Sequence, residues 1–115
     1  MWRDTSVITA DFTCDGRRSP AILGTTATQI VVAVFINGLG QKPEILEYST
    51  QMRSPATTRM TAESLNYNSK SPEAPDLRKF HFPSTCRGLR LDDGRISAAH
   101  IYWNPELKSF ADWVP

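Results

Sequence analysis

Histidine and cysteine are scarce in this 115-residue chain, two of each, and no uninterrupted apolar run is longer than the seven residues 30–36. A helix needs about 20 apolar residues to cross a bilayer, so a membrane-spanning helix is not expected. Thirteen Lys and Arg stand against twelve Asp and Glu, a net charge of +1, with no basic run among them. Binding to nucleic acid draws on clustered cations that release counterions from phosphates, and no such partner is expected here. Cys14 and Cys86 have no Cys or His at ligand spacing, which argues against a zinc site and against a disulfide framework. Two half-buried free thiols are the expectation. The opening Met1-Trp2-Arg3-Asp4-Thr5 lacks the apolar stretch of a secretory leader, so the cytoplasm is the expected address. No phosphate-binding loop, dinucleotide-binding glycine pattern or Ser/His/Asp triad is written in the chain, and no cofactor or metal is expected.

What is present fits one domain over residues 1–115, long enough to bury roughly two thirds of its unfolded surface. The clearest signal is Leu89-Arg90-Leu91-Asp92-Asp93-Gly94-Arg95-Ile96. Leu89 and Leu91 share a strand face, Asp93-Gly94 supplies turn geometry, and alternation resumes from Ile96 to Trp103, so a hairpin is predicted. Alternation also predicts strands at residues 7–13, from Pro43 to Arg53, and at 58–66, with a turn at Ser54-Pro55-Ala56 and a polar loop over 69–76. Another strand opens at Phe80-His81-Phe82, bends at Pro83 and continues to Leu91.

Two segments read as helix. Thr26 followed by Gln29 matches a capping box, and Gly38 can end a helix, so residues 30–36 are assigned to one although their β-branched content favours a strand. The competing reading makes Asn37-Gly38 a hairpin turn. At the C-terminal end Leu107, Phe110 and Trp113 recur at helical spacing, which predicts a docked terminal turn or two of helix over 106–115.

The order strand, glycine-led helix and strand meander, with the Leu89 to Ile96 hairpin leading to Tyr102-Trp103-Asn104-Pro105, resembles the SnoaL-like branch of the nuclear transport factor 2-like superfamily. That branch includes polyketide cyclases, limonene epoxide hydrolase and phenazine-biosynthesis A/B proteins. The resemblance implies an α+β fold, a curved, mostly antiparallel sheet wrapped around a helix to form a conical pocket, commonly in a homodimer. It also implies cofactor-free acid/base chemistry such as isomerisation, cyclisation or hydration. The chain departs from the pattern at its start, which lacks the two long helices that close the pocket. Ile101 is a second departure, standing where enzymes of this group often carry a carboxylate.

Within that frame Ser97, Ala99, Ile101 and Trp103 face the cone, and Tyr48, Met52, Ile101 and Trp103 are the expected ligand-lining residues. Glu63, His81 and His100 are the candidate catalytic groups, because a strand carboxylate in an apolar setting and an imidazole both move protons near neutral pH. Tyr67 could orient a polar ligand atom. The expected function is binding of a hydrophobic or aromatic small molecule, with isomerase, cyclase or hydratase chemistry if the protein is an enzyme. The alternative is a protein-interaction or oligomerisation module that covers a contiguous apolar patch with a partner or a second copy.

Overall fold

The computed structural model describes residues 2–26, 28–36, 42–49, 57–65, 75, 77, 80–94 and 98–114. Among the described residues eight strands follow one another: β1 (Trp2–Ala10), β2 (Ser19–Thr25), β3 (Gln29–Val34), β4 (Glu44–Ser49), β5 (Arg59–Glu63), β6 (Gly88–Asp92), β7 (Ala99–Asn104) and β8 (Ser109–Trp113). They form two four-stranded sheets, ordered β1-β2-β3-β4 and β5-β6-β7-β8, and every neighbouring pair is antiparallel. Among the described residues the fold is β throughout, which corrects the α+β cone implied by the family resemblance.

The segment 30–36, assigned above to a helix, supplies the central strand β3, with β2 on one side and β4 on the other. Ile30, Val31, Val32 and Val34 lose side-chain freedom in a helix and pack well on a pleated surface, and two flanking ladders satisfy their backbone. The apparent capping box is a hairpin turn. Thr26 Oγ1 accepts the Gln29 amide at 3.0 Å, as an N-cap would, but the Thr26 amide donates to the Gln29 carbonyl at 2.8 Å and the chain reverses. Asn37-Gly38, the competing turn, lies outside the described residues, as do Met52 and Tyr67.

The terminal helix is also corrected, since residues 109–113 form β8. Asn104 Oδ1 accepts the amides of Glu106 at 3.0 Å and Leu107 at 3.2 Å, and Lys108 adopts a left-handed φ of 51°, which turns β7 back into β8. Leu107 is therefore 70% exposed at the hairpin tip rather than docked. Phe80-His81-Phe82 lie outside any strand, and the ladder begins only at Gly88.

The predicted hairpin at residues 89–103 is present, with a longer connection than a two-residue turn. Leu89 pairs with Ile101 and Leu91 with Ala99. Asp92 Oδ1 accepts the Gly94 amide at 2.8 Å, and Gly94 takes a φ of 77°, a conformation that glycine adopts without steric cost.

The two sheets share one core. Leu23, Ile30, Val32 and Val34 from the first sheet cluster with Met60, Leu89, Leu91, Ala99 and Ile101 from the second, and Phe12 joins them. Each fully buried large aliphatic side chain contributes about 1.5–3 kcal/mol relative to exposure. The molecule measures 38 × 37 × 22 Å, and its short axis suits two sheets about 10 Å apart with side chains on the outer faces.

Beyond the core, a polar clamp joins the sheets. Asp11, directly after β1, bridges to Cys86 ahead of β6, and its carbonyl accepts the Arg87 amide at 2.9 Å. Its buried carboxylate accepts the Asp15 amide at 3.1 Å, the Gly16 amide at 3.0 Å and the Thr85 hydroxyl at 2.9 Å. Three donors offset the cost of removing this group from water. The bend they hold brings Cys14 within 4.6 Å of Cys86, Cα to Cα, and the two form a disulfide. This corrects the free-thiol expectation, because a pairing across 72 residues is set by tertiary approach and leaves no spacing signature.

Candidate functional site

The outer face of the second sheet gathers polar and aromatic side chains. Antiparallel partners point to the same side of a sheet, so the register places Thr61, Arg90, His100 and Trp113 in one row across β5, β6, β7 and β8. The inward residues that alternate with them, Met60, Leu89, Leu91, Ala99 and Ile101, belong to the core. Core burial on one face thereby fixes what the other face displays.

Two of the sequence-derived candidates meet on this face. Glu63 Oε1 lies 2.7 Å from His100 Nδ1, with side-chain exposures of 18% and 16%. Glu63 pairs in the ladder with Gly88, and that strand position, lacking a side chain, lets the carboxylate reach from β5 across β6 to β7. A carboxylate only accepts, so the contact fits an imidazole that carries its proton on Nδ1. The His100 ring stacks on Trp113 with centroids 4.5 Å apart and planes at 22°. Tyr102 follows on the same side of β7, where burial and then the negative charge of Asp112 raise its phenol above its ordinary 10.0.

Beside this stack lies an open hollow of about 380 Å³, lined by Thr57, Arg59, Thr61, Arg90, Asp92, Asp93 and Gly94. Arg90 Nη2 donates to Asp92 Oδ2 at 2.9 Å. Arg59 is exposed and, among the described residues, its side chain makes no ion pair or hydrogen bond.

The other sequence-derived residues are dispersed. Ile101 is buried in the core, and Trp103 packs edge-on against Phe110, centroids 5.0 Å apart. His81 is exposed at a left-handed φ of 50°, between Phe80 and Phe82, whose rings are 5.4 Å apart. Tyr48 donates its hydroxyl to Asp112 Oδ2 at 3.1 Å across the seam between β4 and β8. A second open hollow, about 240 Å³, lies along that seam, lined by residues that include Glu44, Leu46, Tyr48, Phe110 and Asp112. The packed interior takes the place of the cone.

Sequence reasoning missed Arg59, Trp113 and the hollow. Trp113 was hidden by its apparent helical spacing from Phe110. Arg90 and His100 become neighbours only in a register shifted from the tight hairpin, which Asp93-Gly94 by itself did not reveal.

Chemically, Glu63 and His100 can hold and pass a proton, and the hollow can bind polar groups through guanidinium and hydroxyl donors. Among the described residues no group of three or more His, Cys, Asp or Glu could hold a metal ion, and no helix is long and apolar enough to cross a membrane. No protein-family model, no curated protein and no solved structure matches this chain, and nothing identifies it with the nuclear transport factor 2-like superfamily.

Proposed function

We propose that this protein is a binding module for a small ring-bearing polar molecule, held on the outer face of the second sheet. The observation that carries this reading is the transverse row Thr61, Arg90, His100 and Trp113, which runs from the hollow to an aromatic stack. A ring can lie against the aromatic end, while donors in the hollow fix its orientation. The aromatic ligand anticipated from sequence is retained, and its place moves from the interior to the surface.

Fragment binding read in an amide-resolved NMR spectrum tests it. Ring-bearing polar fragments should shift Thr61, Arg90, His100 and Trp113 saturably. Hits that shift only Leu46, Tyr48 and Phe110 at the seam would overturn the assignment.

Acid/base catalysis is the second reading, favoured by the 2.7 Å approach of Glu63 to His100. In it Glu63 orients the ring and His100 transfers the proton. If substrate turnover survives in Glu63→Gln and in His100→Gln, this reading fails.

Self-association belongs to the same proposal through the first sheet. Its outer face sets Val7, Ile22, Ala33 and Ile45 in one apolar row, in which Ala33 is buried while Val7 is 48% and Ile45 45% exposed. A second copy would meet the exposed part of that row, and a native mass spectrum of wild type against Ile45→Glu reads it directly. The disulfide favours an oxidising compartment over the cytoplasm expected from sequence, since such bonds are kept reduced in most cytosols.

A further inference from the structure

We propose that the hollow on the second sheet is an oxyanion seat, in which Arg59 and Arg90 hold a carboxylate, phosphate or sulfate group of the ligand. This rests on the binding face proposed above and assigns the charge of what binds there. Arg59 stands directly opposite Asp92 in the β5–β6 ladder, and Arg90 lies two residues before Asp92 on the same side of β6. Two guanidinium groups therefore flank one carboxylate. That carboxylate is already engaged at both oxygens, Oδ1 by the Gly94 amide at 2.8 Å and Oδ2 by Arg90 Nη2 at 2.9 Å.

Asp92 thus steadies Arg90 and leaves Arg59 without a counter-charge among the described residues. Asp93 brings the formal charge of the lining to zero, but it is buried, whereas Arg59 is exposed and the Arg90 side chain is 49% exposed. The exposed hydroxyls of Thr57 and Thr61 line the same hollow and add neutral donors. Planar guanidinium groups match the paired oxygens of carboxylate, phosphate and sulfate, and a charged hydrogen bond is roughly twice as strong as a neutral one. The row leads from Arg90 to the His100–Trp113 stack, so a ring bearing an acidic group spans both parts.

Benzoate, benzyl alcohol and inorganic sulfate, titrated at constant ionic strength and followed by amide NMR, separate the parts of this idea. Benzoate should bind at least tenfold more tightly than benzyl alcohol, and sulfate should compete with it. Arg59→Gln should abolish that preference with an unchanged melting temperature, and Arg59→Lys should restore part of it. Competition by inorganic phosphate as well as sulfate supports a seat open to tetrahedral oxyanions, and competition by neither would overturn that breadth and restrict the seat to carboxylates. Equal binding of benzoate and benzyl alcohol would overturn the oxyanion seat while leaving the binding face intact. Binding of none of the probes would overturn both. An Arg59→Gln protein that keeps the wild-type preference would remove Arg59 from the seat.

Discussion

The two sheets are built alike, four antiparallel strands in chain order, yet their outer faces differ. Across the first runs Val7, Ile22, Ala33 and Ile45, and across the second Thr61, Arg90, His100 and Trp113. Both present aliphatic side chains to the shared core. In β6 of the second sheet alternation is clean, with Leu89 and Leu91 buried and Arg90 exposed. In the first, β3 is apolar on both faces, and a strand of that kind reads as a continuous run that periodicity cannot separate from a buried helix. A shared architecture thus leaves the outer faces free to diverge, and the polar one is the face proposed above to bind a ligand.

The comparison breaks most severely at the clamp that makes the two sheets one body. Replacing both cysteines, Cys14→Ser with Cys86→Ser, should cost about 4 kcal/mol from loop-closure entropy across 72 residues, measured by urea unfolding. A single transition shared by both sheets in this variant would show that the common core couples them without the bond, whereas an early transition confined to one sheet would show that the disulfide couples them.

Next in size is the contrast between inner and outer faces of the first sheet. Ile30→Ala should destabilise by about 3 kcal/mol, because its side chain is fully buried in the core. Ile45→Ala, on the opposite face at 45% exposure, should cost about 1 kcal/mol or less. Equal losses would mean that the outer row is covered as thoroughly as the core.

The polar face of the second sheet tolerates change better. Glu63→Gln keeps the shape of the side chain and removes the charge from the contact with His100, and it should cost about 1 kcal/mol in thermal or urea unfolding. The histidine side-chain NMR signals should shift with it, since the carboxylate no longer holds the Nδ1 proton.

The smallest effect concerns Tyr102. Its phenol is raised above 10.0 by burial and by the charge of Asp112, so the folded protein holds this proton more tightly than the unfolded chain. The corresponding stability is complete below pH 10 and is lost as pH rises through the folded value. Wild type should therefore lose stability faster than Tyr102→Phe above pH 10, and parallel curves would exclude the contribution.

Strand alternation was legible where one face is buried, as at Leu89, Leu91 and Ile101, and so was the glycine turn at Gly94. Glu63 and His100 were legible as residues able to move protons, but their meeting was not, since it depends on β5 and β7 both lying beside β6. The hydrogen bond from Gln29 to Thr26 was legible too, and its meaning was reversed: the same contact serves a helix cap or a hairpin turn, and the ladders on either side of β3 decide between them.

By itself the sequence determined local properties: which residues must be buried, where the chain can turn, and that no segment forms a membrane-spanning helix by length and hydropathy. Those follow from side-chain transfer energies and backbone sterics, which act over a few residues. Tertiary structure alone decided the strand assignment of residues 30–34, the Cys14–Cys86 bond and the row from Thr61 to Trp113. Each depends on register or approach between segments distant in the chain, where one residue of slip exchanges the faces of a strand.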